Sequence, residues 1–153
     1  MQPDLRRRAD TRSWFEKAYE DLRCAQIDLA AEPSASKDAL YHCQQAAEKA
    51  LKGFLVWHDQ PFPKTHDLGK LGTQALGLDL TLEPLIDRVV EFTKYAWIFR
   101  YPGEVDEPSV ADAAAVLNRV RAFVGALLIR LPEEARLWAR PDTPTAASEE
   151  LPE

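Results

Sequence analysis

Cysteine, methionine, glycine and histidine are all scarce in this 153-residue chain, at two, one, six and three residues. The two cysteines, Cys24 and Cys43, both fall in helix-patterned segments, which argues against a disulfide framework and fits half-buried or buried free thiols in a reducing compartment. No apolar run approaches the ~18 residues that a membrane helix needs. No stretch alternates β-branched and aromatic residues with polar ones, as strands do. P-loop, GxGxxG, GxSxG and CxxC patterns are missing, which removes the common phosphate-cradle, dinucleotide, hydrolase and redox signatures. His42, His58 and His66 have no companions at metal-ligand spacing, so no metal site is expected. Arg6, Arg7 and Arg8 resemble the charged start of a secretory signal, but Asp10, Thr11 and Arg12 stand where its apolar core belongs. Export is therefore not expected, and the cytoplasm is the expected location.

What is present is a 46% hydrophobic and 29% charged chain with a net charge of −6 and a pI near 5.1, the profile of one globular domain. The acid surplus speaks against a general RNA-coating protein. It is unevenly placed, because six acids and two arginines follow Leu131, leaving only −2 for the residues up to that point. A local phosphate site in the body remains compatible with the charge.

Five segments carry a helical period, which predicts an all-α fold. Ser13 and Glu16 have capping-box spacing, so the first helix is expected to start at Ser13, after an arm over residues 1–12, with Phe15, Ala18, Leu22, Ala25 and Leu29 as its apolar stripe. The second is expected to run from a cap at Ser34 or Ser36 through Trp57. Leu40, Cys43, Ala47, Leu51 and Phe54 share one side of it, and His42, Gln45, Lys49 and Lys52 the other. Small Ala46, Ala47 and Ala50 let a neighbouring helix come close. Asp67 is the expected cap of a short third helix with Leu68, Leu71 and Ala75. Thr81 is the expected cap of a fourth, which has Pro84 in its first turn and runs to the Pro102-Gly103 stop. The fifth opens at Ser109 and carries Val116, Val120, Phe123, Val124, Leu127 and Leu131. Short connections favour up-and-down neighbours, so the expectation is a four-helix bundle with one additional short helix over residues 13–131. Residues 132–153 are rich in loop formers and acids and are expected to be a flexible tail, in which Leu137 and Trp138 could dock as one helical turn.

Three polar features invite a functional reading. The face carrying His42, Gln45, Lys49 and Lys52 is most simply a solvated helix surface or a subunit contact, yet two ammonium groups, an amide and an imidazole also suit a phosphate or a base edge. Thr65-His66-Asp67 follows a proline-bounded loop, where turn and capping chemistry, with His66 anchoring the loop, is the plain alternative. Tyr95 to Gly103 is the densest aromatic stretch, and the plain alternative there is core packing and a helix stop. Arg100 between Phe99 and Tyr101 would present a guanidinium beside an aromatic wall.

In order along the chain, WFEKAYEDLRCA, ALYHCQQAAEKALKGFLV, PFPKTHDLGKL and KYAWIFRYPGE resemble the HEPN domains, whose name abbreviates higher eukaryotes and prokaryotes nucleotide-binding. The likeness spans about Trp14 to Leu131, and the YHCQQAAEKALK run is its most specific part. It implies an all-α, up-and-down bundle, usually homodimeric and often encoded beside a minimal nucleotidyltransferase as a toxin–antitoxin pair. Many members are metal-independent RNases in which an Arg, with a His a few residues on, forms a composite site across the dimer. Arg100 resembles that Arg. Tyr101, Pro102, Gly103, Glu104, Val105 and Asp106 follow it, however, and no His occurs after His66. The chain thus resembles the non-RNase branch, marked by the RYPG turn.

The resemblance implies a nucleotide- or partner-binding module, dimeric and paired with a nucleotidyltransferase, that requires no cofactor and takes ATP or another nucleotide as ligand rather than RNA. His42, Gln45, Lys49, Lys52, His66, Arg100 and Tyr101 are the candidate ligand-binding residues, and no catalytic residue is assigned. Tyr101 is also the tyrosine to which a partner would transfer AMP. The alternatives are an RNase toxin with a non-standard site, in which His66 or His42 replaces the missing imidazole, and a helical interaction scaffold without ligand.

Overall fold

In the computed structural model, which describes residues 5–99, 102–103 and 106–136, the apolar stripes read from the sequence turn inward around one long central helix. The elements are α1 (Leu5–Ala30), α2 (Ser36–Trp57), α3 (Leu68–Leu76), α4 (Glu83–Asp87) with 3-10 turns before and after it at Leu80–Leu82 and Val90–Ala96, α5 (Val110–Ile129) and α6 (Glu133–Arg136). No strand occurs among the described residues, and the fold is the expected all-α helical bundle. No helix among them is long and apolar enough to cross a membrane.

α2 packs against α1, α5, α3 and the second 3-10 turn, so most of its surface is covered. α1 and α2 run antiparallel: Asp28 meets His42, Asp21 meets Lys49 and Trp14 meets Lys52, the numbers falling on one helix as they rise on the other. The seam between them is tight because Ala18 and Ala25 of α1 face a helix rich in alanine, with Ala39, Ala46, Ala47 and Ala50 all fully buried. Phe15, Leu22, Leu51, Phe54, Phe123 and Leu127 fill the volume around that seam.

Several helix ends differ from expectation, each for a local reason. α1 begins at Leu5 and not at Ser13, because Arg6 to Arg12 are mostly good helix formers, Thr11 is fully buried, and Glu16 accepts from Arg12 Nε at 2.8 Å in place of a capping-box bond. Neither Ser34 nor Ser36 caps α2. Their hydroxyls donate instead to the carbonyls of Leu29 (3.0 Å) and Pro108 (2.8 Å). Asp67 caps α3 as expected, accepting from the amides of Gly69 and Lys70, and Ser109 caps α5 by accepting from Asp112.

The expected continuous fourth helix is broken into a 3-10 turn, the short α4 and a second 3-10 turn. Asp79 is its cap, with Thr81 donating to Asp79 through both its amide and its hydroxyl. β-branched Ile86, Val89, Val90 and Thr93 weaken the α-helical preference there. Thr93 Oγ1 is also engaged elsewhere, accepting from the amide of Leu68 at 3.0 Å. After Pro132 the turn α6 seats a buried Ala135 against α1, so the first five residues of the expected tail, 132–136, belong to the packed body. Leu137, Trp138 and the rest of the expected tail lie outside the described residues.

Both cysteines are free, and burial pushes the Cys43 thiol up to about 12. At Gly53 α1 crowds α2: a Cβ there would stand 2.9 Å from the Phe15 ring and 3.0 Å from Trp14 Cβ. Overpacking of this kind costs about 1–3 kcal/mol, against the ~1 kcal/mol that alanine gains in helix propensity. Gly53→Ala is accordingly expected to lose about 1 kcal/mol in urea unfolding despite alanine's better propensity.

Candidate functional site

The polar residues of α2 are drawn into two clusters, each built on a carboxylate removed from water. Asp21, on the buried face of α1, accepts from His42 Nδ1 at 2.8 Å and from Lys49 Nζ at 2.5 Å. His42 Nε2 lies 3.9 Å from Asp28 Oδ2, and the Tyr41 ring meets the imidazole edge-on with centroids 5.5 Å apart. Burial pushes the Asp28 carboxyl up, an effect that nearby His42 opposes and Asp38 reinforces.

Glu48 centres the second cluster. Its Oε1 accepts from Lys52 Nζ at 2.7 Å, and its Oε2 accepts from His66 Nδ1 at 2.9 Å, Gln44 Nε2 at 3.1 Å and Gln45 Nε2 at 3.3 Å. Gln44 Nε2 also donates to the backbone carbonyl of His66 at 3.0 Å, so the loop is held to α2 at two points. The Lys52 ammonium lies 5.6 Å from the Trp14 ring and 5.8 Å from the Phe62 ring, which meet edge to face. Burial alone would push the Glu48 carboxyl up, but the hydrogen bonds from Lys52, His66 and Gln44 outweigh it and hold the group below the ordinary glutamate range.

Two chemical consequences follow from this geometry. A carboxylate only accepts, so Nδ1 of both His42 and His66 carries a proton, and each ring orientation is set from behind by an acid. Each ammonium is also matched by one carboxylate, Lys49 by Asp21 and Lys52 by Glu48, which leaves neither cluster a surplus of positive charge from these pairs. Gln45 and Lys52 thus share the Glu48 carboxylate with His66, while His42 and Lys49 belong to the other cluster. Arg100 and Tyr101 lie outside the described residues. No group of three or more His, Cys, Asp and Glu able to hold a metal occurs among the described residues.

Sequence reasoning missed Asp21, Gln44 and Glu48, the residues that organise everything else. A signal for them exists. Asp21 sits among Ala18, Leu22 and Ala25 on the apolar stripe, where an acid has to find a partner. Glu48 stands four residues before Lys52 and four after Gln44, the favoured i,i+4 order for an acid–lysine pair.

Comparison with protein-family models gives a match to one family, the HEPN domain, over residues 11–130, most of the chain. Neither the curated proteins nor the solved structures give a match.

Removing the Glu48 carboxylate leaves Lys52 buried and unpaired, so Glu48→Ala is expected to cost about 3 kcal/mol or more in urea unfolding at neutral pH. The folded pKa of Glu48 lies below its unfolded value near 4.5, so its contribution is complete above that pH and disappears as the pH falls through the folded value. Stability measured between pH 6 and pH 3 should therefore fall less steeply in Glu48→Gln than in the parent.

Proposed function

The chain belongs to the HEPN domain family, and on that footing we propose that it is a cytoplasmic, homodimeric nucleotide- or partner-binding module. It works beside a minimal nucleotidyltransferase, as in toxin–antitoxin-like pairs, and not as a ribonuclease. The observation that carries this reading is the fate of the imidazoles. Arg100 is followed by Tyr101, Pro102, Gly103, Glu104, Val105 and Asp106, with no histidine to serve as proton carrier. His42 and His66 are instead fixed to Asp21 and Glu48 as parts of the helix and loop framework. A binding role needs no proton carrier, and the guanidinium of Arg100 suits a nucleotide phosphate. ATP or another nucleotide is the ligand, and Tyr101 is the residue a partner would modify with AMP.

A ribonuclease remains the second reading because one observation favours it: Glu48 orients the half-exposed His66 through Nδ1, the arrangement that supports a general base. The two readings separate cleanly in solution. Titration calorimetry should detect binding of ATP or another nucleotide, alone or with the nucleotidyltransferase, and Arg100→Ala should weaken it. Purified protein at high concentration should leave total RNA intact. RNA hydrolysis that disappears in both His66→Ala and Arg100→Ala would reverse the choice.

A further inference from the structure

Next to the Asp21 cluster, on the far side of the Tyr41 ring that meets His42, the first turns of α2 and the aromatic segment after α4 border an open cavity of about 190 Å³ lined by Lys37, Asp38, Tyr41, Tyr95 and Phe99. Its walls differ in chemistry from the rest of the bundle. In a 3-10 turn the side chains at i and i+3 eclipse. The Tyr95 ring accordingly stacks on Phe92 at 5.8 Å, and Phe99 continues the row at 5.9 Å with planes 10° apart. The Lys37 ammonium stands 6.0 Å from the Phe99 ring. Around Asp21 and Glu48 each ammonium and imidazole is matched by an acid. Here, among the described residues, the side chains of Lys37, Asp38, Tyr41 and Tyr95 make no hydrogen bond or ion pair.

We propose that this cavity is a base subsite, which takes a guanine ring against the aromatic wall, its N–H edge toward Asp38 and its phosphate toward Lys37. The volume is below the ~300–1,000 Å³ that engulfs a drug-sized ligand, so it suits one ring system with the sugar and phosphate outside. Aromatic walls favour any base. The carboxylate supplies the discrimination, because guanine presents two adjacent N–H donors to one acceptor pair, whereas adenine sets an acceptor nitrogen beside its amino group. Lys37 provides a mobile cation at the same mouth. This inference rests on the nucleotide-binding reading above and adds to it the place of the base and its identity.

The test is calorimetry on the full chain with GMP, AMP, ATP and inorganic phosphate as probes. GMP is expected to bind more tightly than AMP, and phosphate should not displace it. Tyr41→Leu and Phe99→Leu should each weaken GMP by roughly tenfold while the helical circular dichroism is retained. Asp38, exposed at the rim, can change without touching the core, and Asp38→Asn should weaken GMP about tenfold and leave AMP unaltered. Equal GMP affinity in Asp38→Asn and Tyr41→Leu, or displacement of GMP by phosphate alone, overturns the subsite while the nucleotide-binding reading stands. Absence of binding for every nucleotide tried, in the unaltered chain, overturns both.

Discussion

Taking a carboxylate out of water costs several kcal/mol unless donors surround it, and Glu48 is placed where that cost would fall in the middle of the bundle. Three of its donors, Lys52, Gln44 and Gln45, come from its own helix and could satisfy it without help. The fourth, His66, belongs to the loop that follows α2, and through it the local problem acquires a long-range solution. Fixing His66 fixes Asp67, whose side chain caps α3. The amide of Leu68 then meets Thr93 Oγ1, which positions the second 3-10 turn and the aromatic row it carries. One buried acid is thus connected, bond by bond, to the placement of three separate segments.

Asp21 does for the α1–α2 seam what Glu48 does for the loop. Apolar packing along a seam of alanines is permissive, since small side chains tolerate sliding. A carboxylate that accepts from both His42 and Lys49, two turns apart on the facing helix, is satisfied at only one register. Slipping α1 by a turn would bury Asp21 without its donors, a penalty larger than most single packing contacts return. The tight approach at Gly53 marks the same register from the steric side.

The helices, the inward stripes and the caps at Asp67 and Ser109 were legible because periodicity and capping are local properties of the chain. The start of α1 was misread because a good capping pattern at Ser13 and Glu16 lay inside a stretch able to continue as helix, and tertiary burial of Thr11 decided the outcome. The broken fourth helix was hidden for a related reason, since an apolar period survives a change from α to 3-10 winding over a few residues. His42, Gln45, Lys49, Lys52 and His66 were recognised as an unusual set, but their partners were not. Asp21 is far from them in sequence, and no helical wheel of α2 alone contains it.

The location of unmatched polar groups carries more information about ligands than the location of charge as such. Lys49 and Lys52 are the conspicuous cations of the most specific sequence motif, yet each stands within hydrogen-bond distance of a buried acid. A phosphate arriving there would have to compete with a carboxylate already in place and would leave that carboxylate buried without its cation. Lys37 and Asp38 sit in a stretch with no motif value at all. They border a small cavity, lack ion-pair partners among the described residues, and stand beside the stacked rings of Tyr95 and Phe99. Binding there displaces no ion pair among the described residues, so a new contact has only the cost of ordering the ligand and the Lys37 side chain to offset. In this bundle the charged residues of the most specific family motif hold it together, whereas Lys37 and Asp38, just before that motif, are left without such partners among the described residues.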